Sequence, residues 1–161
     1  MKLKGFLGIL LAVAVWAIPL PAVQAAMPVI KADKQYYDIA QGVHVLKGNV
    51  YIAHKNRVVT MGTAKTNMVE VWGAGGVRYA EADHDITLTG STIYANFRKK
   101  RVTLTDEIDF QDGLVGISAD RVEFNWETKI AEFQGNVHCS ARGTDWTLNE
   151  ARYNVKTKQF M

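Results

Sequence analysis

The sequence predicts an all-β domain built from tandem units, on three observations. After residue 30 apolar residues alternate with polar ones, and no window places them at i, i+3, i+4 and i+7 over three turns. One stretch is written twice: residues 32–50, ADKQYYDIAQGVHVLKGNV, align without a gap on residues 119–137, ADRVEFNWETKIAEFQGNV, at an offset of 87. Between the copies, Gly48-Asn49-Val50, Gly75-Gly76-Val77, Asp106-Glu107-Ile108 and Gly135-Asn136-Val137 recur with a period of about 29 residues, and recurrence at a fixed period marks a stacked architecture.

The first 26 residues read differently. Lys2 and Lys4 precede an uncharged run from Phe6 to Leu20, and Val23-Gln24-Ala25 supplies a small-residue cleavage site, so residues 1–26 are expected to be a secretory signal peptide and residues 27–161 the domain. A spanning helix needs about 20 apolar residues, and Pro19 and Pro21 interrupt this run; an uncleaved anchor is the alternative. Removing the leader takes two of the 19 Lys and Arg and none of the 16 Asp and Glu. The remaining net charge of +1 gives no reason to invoke nucleic acid. Cys139 is the only cysteine, which excludes an intramolecular disulfide, and its place in an alternating strand predicts a buried thiol.

Superposing the units puts Leu46, Leu104 and Phe133 in one column, Val50, Val77, Ile108 and Val137 in a second, and Ile52, Tyr79, Phe110 and Cys139 in a third. The residues between them, Tyr51, Arg78, Asp109 and His138, are expected to face water, as the two-residue period of a strand requires. Gly48, Gly75 and Gly135 are expected at a bulge or corner where each strand bends round the core. Turns are expected at 38–42, 98–101 and 125–129. A fifth unit begins at Ala151-Arg152-Tyr153-Asn154 and stops before a Gly-Asn-Val step, so an open sheet edge formed by Ala151, Tyr153, Val155 and Phe160 is expected there.

Catalytic signatures are missing. His44, His54, His84 and His138 are scattered, and no Gly-x-Ser-x-Gly, P-loop or Gly-x-Gly-x-x-Gly is present. Glu81-Ala82-Asp83-His84-Asp85 is the densest polar cluster; it lacks the glycine of a calcium loop and reads as a solvated connection. Asp33 and Asp120 recur at the same place in their units, which points to a structural task and not to acid–base chemistry. Arg98-Lys99-Lys100-Arg101 reads as a soluble hairpin turn, with a phosphate-binding turn as the alternative. No enzyme, cofactor or metal is therefore expected. The apolar interior itself, lined by these columns together with Tyr37, Phe97 and Phe124, is either a packed core or a lengthwise apolar slot, and periodicity alone leaves both open.

A signal peptide followed by Ala-Asp-x-x-x-(Tyr/Phe)-(Asp/Asn), a polar turn and (Leu/Phe)-x-Gly-Asn-Val resembles the OstA-like domain of the LptA-type periplasmic lipopolysaccharide export proteins, over roughly residues 30–160. The resemblance implies a twisted, V-shaped β-jellyroll whose interior shields lipopolysaccharide acyl chains. It makes Tyr37, Leu46, Val50, Ile52, Val77, Tyr79, Phe97, Leu104, Ile108, Phe110, Phe124, Phe133 and Val137 groove residues. It further implies head-to-tail self-association and joining to other OstA-like domains of the inner and outer membrane, with no catalysis. Two features depart from the pattern: Trp72-Gly73-Ala74-Gly75-Gly76 interrupts the second unit, and the chain is short. They fit a relative such as the membrane-anchored LptC type, and a structural β-solenoid that binds protein through its ends and holds no lipid is the rival reading.

Overall fold

Every long strand of this domain bends at the same level, and that bend organises the architecture. The computed structural model describes residues 27–161, so the proposed leader lies outside the described residues. The chain forms β1 (Val29–Lys31), β2 (Lys34–Asp38), β3 (Val43–His54), β4 (Arg57–Thr66), β5 (Glu70–Glu81), β6 (Ile86–Asn96), β7 (Arg101–Asp112), β8 (Val115–Asn125), β9 (Ile130–Ala141), β10 (Thr144–Asn154) and β11 (Gln159–Phe160), with one 3-10 turn at Ala82–His84. From β3 onward each strand pairs antiparallel with its chain neighbour, while β1 and β2 pair with the two halves of β3. The sheet is one open meander, as the alternating pattern requires.

The register of each long pairing breaks once, between Lys47 and Val50 in β3, Ala74 and Val77 in β5, Thr105 and Ile108 in β7, and Ser118 and Arg121 in β8. In β3, β5, β7 and β9 the extra residues are a consecutive left-handed pair: Gly48-Asn49, Gly75-Gly76, Asp106-Glu107 and Gly135-Asn136. This is the expected corner, and it explains the period: one unit is one hairpin, and the mark falls on alternate strands. The recurrent aspartates are the other half of the motif. Asn49 Nδ2 donates to Asp33 Oδ2 at 2.9 Å, and Asn136 Nδ2 donates to Asp120 Oδ2 at 2.8 Å. A Cβ on Gly48 or Gly135 would stand 2.4 or 2.5 Å from that carboxylate, so only glycine admits the clamp.

A stability difference follows. Gly135→Ala combines a positive φ with this clash and is expected to lower stability by about 2–3 kcal/mol, the upper part of the range for strained backbone. Gly76→Ala, at φ +67 with nothing within 4 Å of the new Cβ, incurs the backbone term alone. Denaturant melts of the two variants read the difference; equal losses would remove the clamp.

Beyond the corner the strands diverge into two walls. The front wall holds residues 34–47 with 63–74, 92–105, 121–134 and 150–160; the back wall holds 29–31 and 50–60 with 77–90, 108–119 and 137–148. In-register rows line the inner faces. The front row runs Leu46, Ala64, Gly73, Ile93, Leu104, Val122, Phe133, Ala151, and the back row Ile52, Val59, Tyr79, Leu88, Phe110, Ile117, Cys139, Trp146. Gly73 in the irregular second unit is a packing residue, since a Cβ there would meet Met61 Sδ at 2.1 Å. Aromatic rings join the walls: Tyr79 meets Phe124 at 6.0 Å, and Phe110 meets Phe133 at 5.4 Å and Tyr153 at 5.7 Å, all edge-on. A back-wall strand therefore packs on a front-wall strand two or three further along.

Candidate functional site: the interior between the walls

Of the residues expected to line a groove, Leu46, Val50, Ile52, Val77, Tyr79, Leu104, Ile108, Phe110, Phe124, Phe133 and Val137 are buried and belong to one apolar cluster. Two others are more than a third exposed, one at the sheet's end and one at the border of the interior. Tyr37 is 53% exposed although the repeat pairs it with the buried Phe124. Its strand, β2, pairs only with β3 at the sheet's end, and its ring rests on His44 at 4.9 Å. Phe97 is 37% exposed because it opens the β6–β7 turn, where it packs on Trp126 at 5.9 Å.

Near this turn the interior holds a small gap. An apolar cleft of about 50 Å³ lies between the walls, bounded on the back by Ile52, Val59, Met61 and Tyr79 and on the front by Val71, Ile93, Ala95, Val102, Phe97 and Trp126, with His54 and Arg57 at its mouth. A larger, more open hollow of about 710 Å³ lies at the far end, beside Leu114, Trp146, Tyr153 and Phe160.

Facing the corner, the rim of the V is crossed by charge. Glu81 corrects the reading of residues 81–85 as a solvated connection: it ends β5, is 1% exposed, and meets several partners. Lys129 Nζ donates to its Oε1 from the β8–β9 turn of the front wall. Tyr79 OH donates to Oε2 at 3.0 Å, His84 Nδ1 lies 3.0 Å from Oε1, and Arg57 Nε stands 3.7 Å from Oε2. The Arg57 guanidinium in turn lies over the Trp126 ring at 5.4 Å. Further along, Lys158 of the β10–β11 turn pairs with the buried Asp112 that ends β7, and its Nζ donates to His84 O at 2.8 Å. Burial, then the neighbouring Glu81 charge, pushes the Tyr79 phenol up, so it stays a neutral donor. Burial, reinforced by Asp112, does the same to Tyr153, and burial raises the Cys139 thiol, which has no exposed surface.

The repeat could not reveal these rim residues, because they sit at strand ends and in turns whose sequences differ from unit to unit. Asp83 and Asp85 are exposed, as expected of a connection, and Arg98 to Arg101 form an exposed turn with Lys100 paired to Glu127 and Arg101 to Glu123. Among the described residues no group of three or more His, Cys, Asp or Glu is placed to hold a metal ion, and no helix is long and apolar enough to cross a membrane.

The sheet is open at both ends. β10 pairs with β9 along its length, but with β11 only at Tyr153 and Asn154, so residues 144–152 present a rim without a strand partner among the described residues. Of the expected edge residues, Ala151, Tyr153 and Val155 turn their side chains into the core and Phe160 is half-buried against Trp146 and Tyr153. What the edge offers is backbone.

No protein-family model and no curated protein sequence matches the chain. Among solved structures, it is similar to LptH, described as the LptA-homologous periplasmic component of the lipopolysaccharide transport device of Pseudomonas aeruginosa, with a TM-score of 0.64 at 18% identity over 76% of this chain and 94% of that one. The fold is that of the LptA-like proteins. The bent meander, with its walls joined at a corner and open sheet ends, is thus the LptA-like β-jellyroll that the repeated motif implies. At this identity the likeness concerns the fold, and the LptA-like fold is that of a transport protein in the relative for which it is described.

Proposed function

We propose that this protein is a periplasmic carrier of lipopolysaccharide, which shelters acyl chains between its walls and joins other LptA-like domains end to end. The observation that carries the reading is an interior lined wall to wall by apolar rows within an LptA-like fold. Each CH2 removed from water contributes about 0.8 kcal/mol, so a chain of ten carbons gains about 8 kcal/mol by leaving water for such a surface. The open edges of β1, β2 and β10 support joining by strand addition, in which backbone hydrogen bonds carry affinity. The polar surface around the charged rim suits an amphiphile whose head stays in water while its tails enter.

Photo-crosslinking phenylalanine analogues test this. Placed at Leu104, Ile108 or Phe133 they are expected to capture lipopolysaccharide, and placed at Tyr51 or Asp109, on the outer faces, they are not. Absence of capture at the inner set ends the carrier reading and leaves a protein-binding β-solenoid.

A further inference from the structure

We infer that the charged contacts along the rim form a latch that holds the two walls together, and that acyl chains enter by parting it; the second clause rests on the carrier reading above. The cleft behind the Glu81 contact, at about 50 Å³, falls far below the roughly 300–1,000 Å³ of small-molecule sites, so this stretch of the interior is closed to an acyl chain, whereas the hollow of about 710 Å³ at the far end is an open mouth beside Lys158 and Asp112. Room between that mouth and the cleft must come from separating the walls. The corner is where the ladder is interrupted: its pairings break register strand after strand, and its residues carry left-handed backbone, so a change in the angle between the walls would disturb fewest backbone hydrogen bonds there. Walls hinged at one side open at the other, and there the cross-wall contacts are ionic or cation–π: Lys129 to Glu81, Lys158 to Asp112, Arg57 over Trp126.

The placement of charge argues for a latch over an incidental surface pair. Exposed pairs contribute about 0–1 kcal/mol, but here both carboxylates are enclosed, with side-chain exposures of 0% for Glu81 and 2% for Asp112, while their lysines keep contact with water. Each lysine therefore gains a partner on closing and regains hydration on opening, a balance suited to a reversible contact. Arg57, Trp126 and Tyr79 border both the latch and the cleft, so parting the first enlarges the second.

Electron-electron distance measurements across the rim test this in the full domain with Cys139→Ala. Spin labels at Asp83→Cys and Thr128→Cys flank the Glu81 contact, and labels at Leu114→Cys and Thr157→Cys flank the Asp112 contact; all four positions are exposed. Lys129→Met is expected to widen and broaden the first distance, and Lys158→Met the second, without any ligand. Uptake of the fluorescent amphiphile dansyl-undecanoic acid is expected to accelerate by about tenfold in Lys129→Met, corresponding to about 1.4 kcal/mol off the opening barrier. Lys158 is nearly half exposed, so its variant keeps the test available if Lys129→Met does not fold. Wild-type distances in both variants overturn the latch, even where the amphiphile binds. Widened rims in variants that, like the wild type, bind no amphiphile keep the latch and end the carrier reading.

Discussion

Replacing Phe133 with alanine is expected to lower the free energy of unfolding by about 3–5 kcal/mol, the range for a large aromatic truncated in a core that cannot collapse. The ring has no exposed surface and sits in the front row between Val122 and Ala151. It meets Phe110 of the back wall at 5.4 Å, and Phe110 touches Tyr153 in turn, so the cavity would open where the walls are joined and not within one of them. Neighbours held in a hydrogen-bonded ladder on both sides have little freedom to fill it. In urea the transition midpoint should fall with an unchanged slope, since the surface exposed on unfolding is nearly the same. Phe97→Ala is the control. Its ring is more than a third exposed at a turn, and truncation there is expected to cost at most about 1 kcal/mol. Comparable losses at the two positions would mean that the aromatic bridge does not hold the walls together.

The contrast between these phenylalanines shows how far the sequence could be read. Alternation and a Gly-Asn mark sufficed for an all-β stack, for the corner, and for the inward columns on β3, β5, β7 and β9, because all of these are local to a strand. Gly-Asn is legible since two successive left-handed residues leave few side chains to choose from, and Asp106-Glu107 reveals the same slot only by its spacing. The intervening strands carry no such mark, and their inward residues Ile93, Ile117 and Val122 have no signature in the repeat, although they fill the same rows. The repeat equates Tyr37 with the buried Phe124 in sequence, whereas burial depends on what lies across the walls, which leaves Tyr37 exposed at the sheet's end and Phe97 partly exposed at the border of the cleft. The offset by which a back-wall strand packs on a front-wall strand further along is a property of the closed sandwich and has no local signature. The burial of Glu81 is hidden from the sequence for the same reason. Its partners Lys129 and Tyr79 lie 48 residues away in the chain and two positions away on the strand, and only the first comes from the opposing wall.

Glu81 is also where the second large effect is expected. Glu81→Ala should lower stability by about 3–5 kcal/mol, the loss seen when one member of a buried ion pair is removed and its partner is left. Four groups lose their partner at once: Lys129, whose side chain is 16% exposed; Arg57, at 20%; His84, at 22%; and the Tyr79 hydroxyl, which burial keeps protonated and therefore in need of an acceptor. Most of the loss is the uncompensated polarity of these neighbours, because the attraction within a buried pair is largely offset by the desolvation of both charges. The distinction can be measured. Glu81→Met combined with Lys129→Met and Tyr79→Phe removes the carboxylate, its cation and the hydroxyl together, leaving Arg57 to the face of Trp126 and the partly exposed His84 ring to water. That triple variant is expected to recover most of the stability lost in Glu81→Ala, while its rim, now held by apolar contact alone, no longer carries the ionic restraint. Should the triple variant be as unstable as Glu81→Ala, the ion pair itself would be contributing net stability, and the rim would be a fixed strut, not a contact balanced between closed and hydrated states.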